Sequence, residues 1–216
     1  MLGTGRNEVG PAFDLVCLTA SLGGVTAYRH LLELLPASFP AAVVVVQHRP
    51  VREHDRLPEV LDRRAELPVR LLRDGESPRP GTVHLVPAGC TAVFGAGCAV
   101  SITAVPGHRQ ADPLFASAAA VFGPRLIVGV LTGRLDDGAL GVRHVKGSGG
   151  RVLAQDPATA EAAGMPGSAL ATGCVDFALP LTVLAHALVA LVMAPGAAGL
   201  LRVALPSWAT AITTSA

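Results

Sequence analysis

The chain has 216 residues, half of them apolar, which is enough for one domain with a sizeable core. Charged residues are 15%, aromatics 4% and the formal net charge is +1, so there is no basic, aromatic-interleaved surface of the kind that binds nucleic acid. The four cysteines (Cys17, Cys90, Cys98 and Cys174) form no C-x-x-C pair, so neither a metal site nor a disulfide framework is expected, and a reducing cytoplasm fits.

The first residues lack the basic and apolar regions of a signal peptide. They are expected to form a flexible segment, 1–12, ahead of a single domain over 13–194. Leu15, Val16, Cys17 and Leu18 make a short buried strand that turns at Ser21. Gly23 and Gly24 permit the turn, and Val25 to Leu35 continue at helical spacing. Ala41–Gln47, with four consecutive valines, reads as a fully buried and parallel strand. Residues 53–66 are charged and amphipathic and predict a surface helix. Short strands are predicted at 69–73, 82–87, 91–94 and 98–104, the last two as an antiparallel hairpin. A helix over Asp112–Phe122 and a core strand over Arg125–Thr132 follow. Then come a helix over Ala139–Lys146, whose Lys146 is the only lysine of the chain, and a strand over Arg151–Ala154. A short helix at 167–173, a strand over Cys174–Ala178 and an apolar helix at 181–193 complete the domain. The apolar stretch Phe177–Leu205 is interrupted by Pro180, His186 and Pro195. It falls short of the about 18–20 clean residues that span a bilayer, so a buried helix and not membrane insertion is expected. Residues 195–216 read as a C-terminal extension. The alternation predicts an α/β fold: a doubly wound, mainly parallel sheet with a small antiparallel hairpin.

Three polar positions fall just beyond the carboxyl ends of predicted buried strands. Ser21 follows the first, His48 closes the four-valine strand, and Asp136 and Asp137 follow the 125–132 strand. In an open parallel sheet those ends share one edge, where ligands bind. A serine there lies beside the free backbone N–H groups of a helix start, as an attacking hydroxyl with an oxyanion site requires. A histidine to take its proton and an aspartate to orient the imidazole would complete an acyl-transfer site. Spacing alone leaves the aspartate open between Asp136 and Asp137, and leaves His108 as a rival to His48. Any of these residues could instead serve as a cap or turn residue. No phosphate-binding G-x-x-x-x-G-K-[ST] or G-x-G-x-x-G follows a strand, so a nucleotide cofactor is not expected.

Several segments then match in order. Ala-Ser-x-Gly-Gly at 20–24, Val-Val-Gln-His-x-Pro at 45–50 and Leu-Thr-Gly-x-x-x-Asp-Gly at 131–138 resemble the catalytic domain of the CheB chemotaxis protein-glutamate methylesterases. Asp-Gly-Glu at 74–76, His-Leu-Val-Pro-Ala-Gly at 84–89, Ala-Asp-x-Leu-Phe at 111–115, Ala-Gln-Asp-Pro at 154–157 and Gly-Met-Pro at 164–166 extend the resemblance. It implies a hydrolase with no cofactor that cleaves methyl esters of receptor glutamates and deamidates glutamine. By position it makes Ser21 the nucleophile, His48 the base and Asp137 the acid, with the backbone amides of Leu22 and Arg134 as oxyanion donors. In the family a receiver domain usually precedes this one. The resemblance here starts near residue 13, so a stand-alone domain without that control is expected.

The departures from the family cluster around these residues. Thr19 and Leu22 flank Ala20-Ser21 where glycine and threonine are usual, Arg134 and Leu135 replace methionine and glycine, and Arg109-Gln110 replaces Pro-Ser. Leu135 would strain its turn if that position needs a positive φ. The rewritten rim leaves two alternatives to a methylated receptor protein: a small-molecule methyl ester as substrate, or an inactive binding module of the same fold.

Overall fold

A computed structural model of the chain describes residues 13–105, 107–194 and 196. The segment 1–12 and, apart from residue 196, the extension 195–216 lie outside the described residues. Seven strands form one sheet: β1 (Leu15–Ala20), β2 (Ala42–Gln47), β3 (Val69–Leu71), β4 (Val83–Leu85), β7 (Leu126–Val130), β8 (Arg151–Gln155) and β9 (Phe177–Leu179). Their order is β3-β4-β2-β1-β7-β8-β9, and every neighbouring pair is parallel. A separate antiparallel pair joins β5 (Cys90–Phe94) to β6 (Val100–Ala104). The doubly wound sheet and the hairpin are therefore present as expected.

Both faces of the sheet are covered, which is why β1 and β2 read as continuous apolar runs without alternation. Val16, Leu18, Val43 and Val45 point into one core, shared with helices α1 (Gly24–Glu33), α2 (Leu57–Asp62) and α6 (Leu181–Met193). Cys17, Val44, Val46 and Val128 point into the other, shared with α3 (Ala111–Phe122), α4 (Gly141–Gly147) and α5 (Gly164–Ala171). The apolar helix α6 buries Leu184, Leu188 and Leu191 against the first core. Among the described residues no helix is long and apolar enough to cross a membrane.

The largest departures from the expected boundaries fall at α2, α5 and the last strand. Helix α2 spans Leu57–Asp62, not 53–66. The Asp55 carboxylate accepts from the Leu57 amide at 3.2 Å and Pro58 occupies the first turn, which fixes the start. At its other end Asp62 accepts from the Val69 amide at 2.8 Å and turns the chain into β3. Helix α5 begins at Gly164, three residues early, because Pro166 in a first turn costs no hydrogen bond. The last strand is Phe177–Leu179, later than Cys174–Ala178, because Asp176 is engaged elsewhere. Its carboxylate pairs with Lys146 and accepts from the Val152 amide at 2.8 Å, so both charges are satisfied inside the fold.

Candidate active site

The three central strands β2, β1 and β7 lie side by side and end on the same edge. Ser21 follows β1, His48 follows β2 and Asp137 lies on the turn after β7. Parallel register brings these strand ends level: Ala20 pairs with Gln47, and Thr19 with Val130. The order in which strands are added reverses at β1, with β2 on one side and β7 on the other, so the site occupies the switch point of the sheet.

Ser21 is held by its backbone. Its amide donates to Thr132 O at 2.9 Å, and its carbonyl accepts from the Gly24 amide at 3.0 Å and from Gln47 Nε2 at 2.8 Å. The same Gln47 amide group donates to His48 O at 3.0 Å and ties the two strand ends together. Gly23 opens α1 at φ +78°, a conformation that disfavours a side chain. Gly133 allows the opposite turn to approach: a Cβ there would come 2.9 Å from Ser21 Cβ and 2.1 Å from Met165 Sδ.

His48 Nε2 lies 2.7 Å from Asp137 Oδ2, which leaves Nδ1 as the ring nitrogen open to the cleft. Asp137 is fully buried. Its carboxylate accepts from the amides of Gln110 (2.9 Å), Ala111 (2.8 Å) and Asp112 (3.1 Å), the cap and first two residues of α3. A buried anion is stable only with such donors, and the positive end of a helix adds to them. Behind it, Asp112 Oδ1 accepts from the amides of Gly138 at 3.0 Å and Gly141 at 2.8 Å. Arg109 closes the turn from outside, donating to Asp112 at 2.9 Å and to Asp136 at 2.7 Å. Asp136 and His108, the two rivals left open by spacing, sit on this outer surface 3.5 Å apart.

Ser21 and His48 line one cleft of about 600 Å³ with Leu22, Arg134 and Glu161. Among the described residues the amides of Leu22 and Arg134 donate to no protein acceptor, so both are available to a ligand. Leu135, next to Arg134, has φ +66°, so the family glycine is replaced at a position that does require the left-handed region. Thr19 lies buried beneath Gly138 with its hydroxyl unpartnered, and nothing in the structure explains that threonine. Sequence reasoning missed the roles of Gln47 and Asp112 and the place of Glu161 in the cleft. Gln47 adjoins His48 and Asp112 lies in the Ala-Asp-x-Leu-Phe segment, so both carried a signal, whereas Glu161 reaches the cleft only through folding.

The sequence matches the CheB methylesterase family over residues 16–188. The chain belongs to the CheB methylesterase family. It is 39% identical over 194 residues to a protein-glutamate methylesterase/protein-glutamine glutaminase of Moorella thermoacetica, covering 86% of this chain and 46% of that protein. A Myxococcus xanthus protein of the same description is 42% identical over 157 residues, covering 71% of this chain and 44% of its own length. The chain thus spans about half the length of these CheB relatives. The crystal structure of the Thermotoga maritima CheB methylesterase catalytic domain superposes with a TM-score of 0.77 at 33% identity. That match covers 83% of this chain and 99% of the Thermotoga chain.

Proposed function

We propose that this chain is a serine hydrolase that removes the methyl ester from glutamyl side chains of a protein substrate. The observation that carries this is the 2.7 Å contact of His48 with the buried, amide-anchored Asp137 at the cleft that also holds Ser21. In this reading Ser21 Oγ attacks the ester carbonyl carbon while His48 Nδ1 takes the hydroxyl proton. Asp137 orients the imidazole and stabilises its charged form. The negative oxygen of the tetrahedral intermediate accepts from the amides of Leu22 and Arg134. The intermediate collapses as His48 returns the proton to the departing methoxide, and methanol leaves an acyl-enzyme. Water, deprotonated by the same histidine, attacks the acyl group and frees glutamate and Ser21. A glutamine side chain would follow the same steps with ammonia as leaving group.

The names of the relatives support the substrate class, since both proteins are described as acting on glutamate esters and glutamine in proteins. A methylated chemoreceptor in the cytoplasm is the partner we assign, in keeping with four free cysteines. The test is methanol release from a methylated receptor fragment. The wild-type chain should release methanol, and Ser21→Ala should fall by at least about 10³-fold. Equal rates for the two proteins would rule the hydrolase out.

A further inference from the structure

The cleft continues past His48. Val25 and His48 also line a second cavity, of about 610 Å³, which runs along the segment joining β2 to α2. Pro50, Leu57 and Val60 give it apolar walls, and Arg49, Arg52 and Arg56 give it positive charge. Asp55, the one acid in its lining, is already committed. Arg49 Nε donates to Asp55 Oδ2 at 3.0 Å, Nη2 donates to the same oxygen, and the Leu57 amide reaches Oδ1. Burial acts to raise the pKa of Asp55, but these donors outweigh it and hold the carboxyl below its ordinary value. The Arg49–Asp55 pair is thus neutral within itself. Arg52 and Arg56 are exposed and enter no ion pair among the described residues.

We infer that this cavity is a substrate subsite in which Arg52 and Arg56 receive a carboxylate side chain of an acidic polypeptide whose ester group lies at Ser21. The inference rests on the esterase reading of the adjoining cleft and names what that site selects. A glutamyl methyl ester is uncharged, so any choice by charge must be made on its neighbours. On a helix, side chains three or four residues apart share a face, which places an acidic neighbour beside the ester. Guanidinium groups match a carboxylate with two parallel hydrogen bonds. The apolar walls take the methylene stem of such a side chain, and exposed Leu22 and Val25 continue that apolar surface toward the serine.

The experiment is fluorescence anisotropy on the full chain carrying Ser21→Ala, so that ligand is not consumed. Two labelled helical peptides differ only in having glutamate or glutamine three residues from a central glutamine. The glutamate peptide is expected to bind about fivefold more tightly at low salt, with the advantage fading as salt is raised. That advantage should vanish in Arg52→Gln/Arg56→Gln, return in Arg52→Lys/Arg56→Lys, and persist in Arg73→Gln/Arg79→Gln, which removes the same charge at a separate cavity. Equal affinities (including no binding of either peptide) overturn the inference, as does an advantage that survives the glutamine pair. Displacement by inorganic phosphate or an oligodeoxynucleotide as readily as by unlabelled acidic peptide also overturns it, by making the cavity a general anion site. Methanol release by the wild-type chain is read separately, so loss of selectivity with hydrolysis intact removes the subsite alone.

Discussion

Leu135 stands at φ +66° with its side chain 59% exposed. A left-handed conformation costs an L-residue about 1–2 kcal/mol, and an exposed leucine recovers little of that by burial. Leu135→Gly should therefore raise stability by about 1 kcal/mol, seen as a higher urea midpoint with an unchanged slope. A lower midpoint would mean that the leucine makes contacts worth more than its strain. The strained residue adjoins Arg134, which lines the cleft and whose amide donates to no protein acceptor among the described residues. Ser21, His48 and Asp137 could be placed at strand ends from sequence because each follows an apolar run too short to be anything but a buried strand. Which neighbours hold them could not, because Gln47 and Asp112 act through contacts between segments far apart in the chain.

At the scale of elements, the start of α3 is what positions the acid. The amide of Gln110 just before it and its own amides of Ala111 and Asp112 bind Asp137, and Asp112 in its first turn binds the amides of Gly138 and Gly141. Asp112→Ala leaves two buried amides without an acceptor, at a cost of about 2–3 kcal/mol in urea unfolding, and should lower kcat by freeing the Asp137 turn. Arg109→Ala removes an exposed bridge and should leave the midpoint almost unchanged. Comparable losses in both variants would shift the anchor from the amides to the surface arginine. Helix boundaries were the least legible part of the sequence. The charged run 53–56 reads as helix, yet Asp55 spends its carboxylate on Arg49 and the Leu57 amide and so delays the start. The central strands β1, β2 and β7 were plainer, since a sheet covered on both faces leaves no alternation to misread.

The molecule as a whole has a proton-sensitive core position. His84 on β4 is fully buried, and its Nε2 accepts the Arg79 amide at 2.9 Å. Burial holds its pKa below the ordinary 6.5, with Glu76 acting in the opposite direction. The unfolded chain thus takes up this proton at a higher pH than the folded one does. The contribution of His84 is complete above about pH 6.5 and falls as the pH drops toward the folded value, by at most about 1.4 kcal/mol per pH unit. Urea midpoints at pH 7.5 and 5.5 should differ more for the wild-type chain than for His84→Gln, and equal differences would assign the acid sensitivity to other groups.

Lys146 is the only lysine of the chain, and it lies closed off beside Asp176, where α4 meets the approach to β9. Side-chain amine chemistry therefore has a single address, and the native fold shuts it. A reagent that acylates amines must wait for that seam to part before it can mark the side chain. The extent of acylation at this one residue, read separately from that at the terminal α-amine, would time the opening of the seam.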